Sequence, residues 1–370
     1  MGKQTPLHDR HIRQGAKMGL FAGYDMPLYY DEGVIAEHEW VRKSAGLFDV
    51  SHMGQIILSG AGATAFLEKL TPSSYGAMPV GRARYTVLTN EQGGIIDDLI
   101  VSRLDDDSYF LVVNAGCKDK DIDWIKQHLP LDVGMEILAD HALIALQGCA
   151  AARVLQDVLH VDTSDMPYMW TFRTVMEDRA DILVSRVGYT GEDGFEISVS
   201  ADRAAALWDN LAAQDAVKPV GLAARDSLRL EMGYCLYGHD IDAHTTPVEA
   251  GLSWVIGKDN HSFFGAEPVR AQMRDGAPRH RVGVRLTGKG VAREGAAIID
   301  PGTGAEIGCL TSGSFSPSLR ESIGQGYVMQ GHAQAGQSVL VAVRGRTIEA
   351  EIAAMPFWEA RTKSMKRAAA

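Results

Sequence analysis

Only four cysteines occur in 370 residues, Cys117, Cys149, Cys235 and Cys309, and they stand far apart. Without a C-x-x-C pair the chain offers neither a disulfide framework nor a zinc ligand set, and free thiols in a reducing compartment are expected. Apolar runs are short as well. None reaches the roughly 18 residues of a membrane span, and the opening MGKQTPLHDR carries no apolar stretch that would read as a secretory signal. Pro6 stands where a myristoylation signal wants Ser or Thr. A cytoplasmic location, with no transit peptide, is expected. Positive charge is in deficit: 36 Lys and Arg against 47 Asp and Glu give a formal net charge of −11. Such a surface repels phosphate backbones and anionic lipid, so neither nucleic acid nor membrane is expected as a partner. G-x-S-x-G and the P-loop are missing too, which leaves serine hydrolase and nucleoside-triphosphate chemistry without a foothold.

What is present is ordinary globular material, 46% apolar and 22% charged. The length exceeds the roughly 250 to 300 residues at which single cores stop growing, so more than one domain is expected. Residues 31–47, DEGVIAEHEWVRKSAGL, have the period of an amphipathic helix ending near Gly46. GQIILSG then reads as a strand and ATAFLEKL as a helix. RYTVLTN, IIDDLIVSRL and YFLVVN form an antiparallel meander through the turns EQGG and DDDS. Residues 117–129 read as helical. ALIALQG and CAAARVLQDVL repeat the strand–Gly–helix order, and DILVSRVGYTGEDGFEISVS reads as a hairpin before the helix ADRAAALWDNLAA. The first 270 or so residues are therefore α+β. Past RDGAPRH, residues 274–280, six short strands separated by Gly, Pro and Ser predict a small all-β barrel or sandwich.

Two chemical-looking signals fail on inspection. GAGATA, residues 60–65, matches G-x-G-x-x-A between a strand and a helix, but no acid lies between Glu68 and Glu91 to hold a ribose, so a tight turn is preferred and no nucleotide is expected. HDIDAH gathers His239, Asp240, Asp242 and His244 near Cys235, yet without a standard zinc spacing, so a hydrogen-bonded loop is preferred and no metal is expected.

The acids of IIDDLIV pose a sharper question, because a buried carboxylate is costly unless paired or shifted in pKa. Side chains alternate along a strand, so Asp97 and Asp98 point to opposite faces. Periodicity leaves open which acid is inward, and both could be solvated beside the Gly93–Gly94 turn. In GYTGEDGFEI, Glu192 and Asp193 occupy a turn and are expected to be solvated. Glu196 lies on the following strand, where a carboxylate can accept two parallel hydrogen bonds from an amidine-like edge. Arg225 and Arg229 share a helix face, for which a salt-bridged surface helix is the plain reading.

Taken in order, FAGYDMPLYY, GLFDVSHMG, GGIIDDLIV, GYTGEDGFEI, GLAARDSLRLE, CLYGHDIDAHTTPVEAGLSW and SGSFSPSL resemble the tetrahydrofolate-dependent aminomethyltransferases, the T-proteins of the glycine cleavage system, from about residue 5 to 357. The resemblance implies a three-domain cloverleaf around a central folate pocket. Two interleaved α/β domains would come from residues 1–275 and a β barrel from 280–365. It implies that Asp98 faces the folate as the catalytic acid, that Glu196 holds the pterin edge, and that Arg225 shares the pocket. Met53, Tyr85, Asn114 and Trp254 would line it. Near the carboxyl end, Trp358, Arg361 or Thr362 stands where some members place a folate-contacting residue. The implied reaction moves the methylene carbon of an aminomethyl group, carried on the lipoyl arm of H-protein, to tetrahydrofolate, with release of ammonia and 5,10-methylenetetrahydrofolate. A folate-dependent demethylase acting on a small methylated substrate is the alternative on the same fold. An iron–sulfur assembly helper lacks support because K-G-C-[YF]-x-G-Q-E is missing, and a flavin-linked oxidase would need a longer chain.

Overall fold

A computed structural model describes residues 2–363 apart from Glu177, and it contains three principal sheets. The meander expected from the alternating apolar runs is a five-stranded antiparallel sheet, in the order Ala83–Thr89, Ile95–Asp105, Ser108–Val113, Gly54–Ser59 and Gly134–Ile137. The helices Ala63–Leu70 and Lys118–His128 cover one face. Phe66, Leu67, Leu70 and Ile125 meet Ile56, Leu58, Leu99 and Leu111 in a dry core. GAGATA is a tight turn, as preferred. Gly60 sits at φ 126°, and a Cβ there would lie 2.1 Å from the Asp132 carbonyl oxygen.

A six-stranded sheet runs Trp170–Val175, Asp181–Arg186, Gly194–Ser200, His141–Gln147, Ala45–Asp49 and Val217–Pro219, with only the last pair parallel. Helices Ala151–Leu159 and Ala201–Ala212 pack on it through Val154, Leu155, Leu207, Trp208 and Leu211. Ala45–Asp49 pairs with His141–Gln147. All the chain that builds the five-stranded sheet therefore lies between two neighbouring strands of this one, and the two lobes are interleaved. The predicted helix over 31–47 is corrected here: it spans Gly33–Lys43, and Ala45–Asp49 is a fully buried strand. Residues 45–49 carry apolar side chains that satisfy a helical period in the window, but a central strand buried on both faces needs the same side chains.

From Arg279 to Ala353 six strands close into a barrel filled by Val284, Leu286, Ile298, Leu310, Val328, Val341 and Ile352.

One helix, Leu222–Glu231, touches all three lobes. The buried Glu231 carboxylate faces His38 at 3.2 Å and Arg42 at 2.7 Å, both from the helix Gly33–Lys43. It also accepts from the Ser316 hydroxyl and from the backbone N–H and hydroxyl of Ser318 in the barrel. Arg42 donates onward to Glu192 at 2.9 Å. Glu192 is thus buried, and Asp193 is paired with Arg186, so neither is the solvated turn acid that local sequence suggests. Arg42 stands 150 positions from Glu192, where no local pattern reveals it, whereas Arg186 reaches Asp193 from the preceding strand, seven positions back. Arg229 is likewise buried. It donates to Asp226, to Asp240 at 2.7 Å and to Ser312 at 3.0 Å, so this is not a surface helix.

Burial would raise the Glu231 pKa, but hydrogen bonding and charge from His38, the Ser316 hydroxyl and Arg42 outweigh it and hold the group down to about 2. A depressed carboxyl pKa contributes stability above the ordinary value near 4.5, and that contribution is lost as pH falls through about 2. Denaturant melts between pH 5 and pH 2 should show this group contributing about 3 kcal/mol of the decline. Glu231→Gln should lower stability at pH 7 by about 3–5 kcal/mol, because it takes from buried Arg42 the nearer of its two carboxylate partners and leaves only Glu192.

Candidate functional site

The three lobes enclose a cavity of about 1790 Å³. Met53, Tyr85, Asp98, Asn114, Glu196, Arg225 and Trp254 all lie on its wall, although they come from positions spread over 200 residues. The barrel contributes Arg281, Thr311, Ser312 and Gly313.

The Asp97–Asp98 pair is buried on both faces of its strand. Asp98 opens onto the cavity, and Asp97 turns back toward the helix Lys118–His128. Asn114, the first residue after the strand Ser108–Val113, clips the two together. Its side-chain N–H group meets Asp98 Oδ1 at 2.8 Å, the Asp98 carbonyl at 2.9 Å and Asp97 Oδ1 at 3.0 Å, and its backbone N–H donates to Asp97 Oδ2 at 2.9 Å. Tyr85 donates its hydroxyl to the other Asp98 oxygen at 2.9 Å. Burial, then repulsion from Asp97, pushes the Asp98 carboxyl from 3.8 up to about 7, against the opposing hydrogen bonds from Tyr85 and Asn114. A carboxyl poised near neutrality can both accept and return a proton.

Glu196, on the strand Gly194–Ser200, pairs across to Ser185 and Ala145 through its backbone. Its carboxylate is buried on the cavity wall and meets no donor among the described residues, and burial raises its pKa with Arg225 partly offsetting. Arg225 lies over the Tyr189 ring at 4.9 Å, with Nη1 buried and unpaired. Burial lowers its pKa while Glu196 pulls it back up. The two are not in ion-pair contact, so each has hydrogen-bonding capacity for a guest. Trp254 is 66% exposed and stacks on Tyr85 with centroids 5.5 Å apart. Met53 follows the turn closed by its N–H on the Val50 carbonyl.

Several wall residues escape sequence reasoning. Tyr189 and Tyr234 stack at 5.7 Å, and Tyr168 and His52 also face the cavity. Tyr189 stands within GYTGEDG, so the motif carried a signal. Tyr168 sits in irregular chain after Pro167 and carries none. At the carboxyl end the wall is made by Met355 and Pro356. Trp358, Arg361 and Thr362 are not on it: Arg361 lies against the Trp358 ring, and its N–H donates to the Gly191 carbonyl. The HDIDAH segment disperses. His239 pairs with Glu294, and Asp240 accepts from Arg229, Gln325, Thr311 and Ser312. Among the described residues a different trio, Asp97, Cys117 and Asp121, brings oxygen, sulfur and oxygen atoms within 4.8 Å of one another. No described helix is long and apolar enough to cross a membrane.

A deep cavity lined by aromatic and aliphatic side chains, with a few ionisable groups converging on it, defines an enzyme site for a small molecule. The comparisons narrow the class. Residues 7–260 match the GCVT N-terminal domain, and residues 279–359 match the glycine cleavage T-protein C-terminal barrel domain. The mitochondrial aminomethyltransferase of Dictyostelium discoideum is 44% identical over 374 residues, covering 96% of this chain and 92% of its own. The aminomethyltransferase of Halothermothrix orenii is 42% identical over 359 residues, covering 96% and 99%. The crystal structure of glycine cleavage system aminomethyltransferase T from Bartonella henselae superposes with a TM-score of 0.93 at 38% identity, over 98% of this chain and 100% of that one. The chain belongs to the glycine cleavage T-protein family, and it is an aminomethyltransferase. The demethylase alternative is not favoured.

Were Asp98 to serve as a proton acceptor it would be active when ionised, and turnover should then climb as pH rises through about 7. Tyr85→Phe removes a hydrogen bond that favours the ionised form, and should move this limb upward by about one pH unit, equivalent to about 1.4 kcal/mol. A pH–rate profile of ammonia release checks both.

Proposed function

We propose that the cavity takes tetrahydrofolate, with the pterin edge on Glu196 and the reacting N5 and N10 beside Asp98. The one-carbon donor would be an aminomethyl group borne as a thioether on the lipoyl arm of H-protein. The observation that carries this reading is the pair of buried acids on one cavity wall in opposite states of satisfaction. Asp98 is held by Tyr85 and Asn114, whereas Glu196 meets no donor among the described residues. A carboxylate left open in this way fits a donor pair such as the N3–H and 2-amino group of a pterin, a two-point contact that fixes ring orientation. Arg225, with a free Nη1, fits either an anionic part of the guest or its ring oxygen.

The reaction balances without an oxidant. Two N–H protons leave the folate nitrogens as two N–C bonds form to the methylene carbon. The C–N bond to the departing amine and the C–S bond to the lipoyl sulfur break. One proton ends on ammonia and the other on the released thiol. Asp98 would take a proton from a folate nitrogen and pass it to the leaving group, and its negative charge would stabilise the iminium-like carbon between donor and acceptor. Enclosure by three lobes would keep water, which releases that carbon as formaldehyde, away from it.

Asp98→Asn should retain folate binding and lose about 10²- to 10⁴-fold in turnover. Glu196→Gln should weaken folate binding by about 10- to 100-fold, corresponding to about 1.5–3 kcal/mol for a hydrogen bond to a charged group. The assay is release of ammonia and methylene-tetrahydrofolate from glycine-loaded H-protein, with folate binding measured separately by calorimetry. Full turnover in purified Asp98→Asn would remove that residue from the chemistry.

A further inference from the structure

Behind Asp98, on the side away from the cavity, lies a group the chemistry above does not use. Asp121 stands in the first turn of the helix Lys118–His128 and is fully buried, as is Asp97. Among the described residues, neither Asp121 oxygen meets a hydrogen-bond donor. Asp97, by contrast, is doubly donated to by Asn114. The facing groups are Asp97 and Asp98 from the strand Ile95–Asp105, Asn114 and Cys117 from the segment after Ser108–Val113, Lys120 from the helix itself, and Tyr237 from beyond it. Lys120 is the one cation among them, and its ammonium is spent elsewhere. It donates to the Ile96 carbonyl and to the Tyr237 hydroxyl at 2.9 Å, and lies 3.5 Å from Cys117 Sγ.

Two ionised carboxylates cannot sit together in a sealed site without a cation between them. Protonating Asp121 removes that repulsion and turns an orphaned acceptor into an O–H donor. Asn114 already donates to both Asp97 oxygens, so Asp121 is the acid that gains by holding the proton.

We propose that Asp121 is a positioning residue: a neutral carboxylic acid that donates its O–H to Asp97, fixing Asp97 on Asn114 and Asn114 on Asp98. A chain of hydrogen bonds then runs from a buried proton store to the cavity wall, and a single fixed negative charge stands behind Asp98. Burial and the charge of Asp97 both drive the Asp121 pKa upward, in the direction this requires.

The test uses the full chain without substrate, and a kinetic arm that rests on the role given to Asp98. Infrared difference spectra should show a protonated-carboxyl C=O band at pH 9 that vanishes in Asp121→Asn and survives in Asp98→Asn. In turnover, Asp121→Ala should lose about 10²-fold in kcat with little change in KM for folate, as expected for a misplaced reacting group. Asp121→Asn, which keeps an N–H donor toward Asp97, should recover kcat to within about threefold of the parent, and hold the acidic limb of the pH profile in place. A band indifferent to Asp121→Asn overturns the inference, as does an Asn variant no better than Ala. So does one equivalent of divalent metal, found by mass spectrometry of the purified protein and lost in Asp121→Asn, since a cation would then do the work assigned to the proton. An active Asp98→Asn with the band intact would sink the functional reading and leave this one standing.

Discussion

Charge buried along the helix Leu222–Glu231 is the constraint on which the arrangement of lobes depends. Three of its side chains face three directions. Arg225 enters the cavity, Arg229 ties Asp240 and the barrel serine Ser312, and Glu231 gathers His38, Arg42, Ser316 and Ser318. A buried charge with one partner withdrawn is far more costly than an unmade surface contact. The barrel and the six-stranded lobe are therefore held at a fixed spacing by the penalty for separating them, while the five-stranded sheet joins the same helix through apolar packing of Phe110 and Val112 with Ala224 and Leu228. The cavity walls inherit that fixed spacing.

Within the cavity the balance reverses. Burial drives Asp98 and Glu196 upward and Arg225 downward, each away from its charged state, and the partners present only partly compensate. The protein keeps ionisable groups where water has been displaced and leaves some of their hydrogen bonds unmade. Such unsatisfied polarity lowers stability and is found where a guest completes the network. The contrast between the saturated clamp around Glu231 and the unsaturated wall around Glu196 separates architecture from function in one molecule.

Much of the scaffold was legible because its signals are local. The six barrel strands alternate and are punctuated by turns, and the meander over residues 83–113 carries its own Gly-Gly and Asp-rich hairpins. What stayed hidden depends on partners distant in sequence. Glu192 looks solvated until Arg42 is folded against it, and Arg229 looks like a surface residue until Asp240 and Ser312 arrive. Residues 45–49 satisfy helix and strand templates alike, and only their place between two neighbours decides. For the cavity, spacing placed Asp97 and Asp98 on opposite faces but could not orient them. That Met53, Tyr85, Asp98, Asn114, Glu196, Arg225 and Trp254 belong together followed from the family resemblance, since no periodicity links them. Asp121 had no signal: an acid in the first turn of a helix is what the helix dipole favours at any surface.

The nesting of one lobe inside the other imposes an order on assembly. The strand Ala45–Asp49 emerges early in synthesis, yet its neighbour His141–Gln147 follows only after the whole five-stranded sheet, and its parallel partner Val217–Pro219 comes later still. The enclosed sheet is contiguous and can collapse on its own residues, while the surrounding one must wait with a hydrophobic strand unpaired. Every strand of the inner sheet is thus synthesised before either neighbour of Ala45–Asp49 exists.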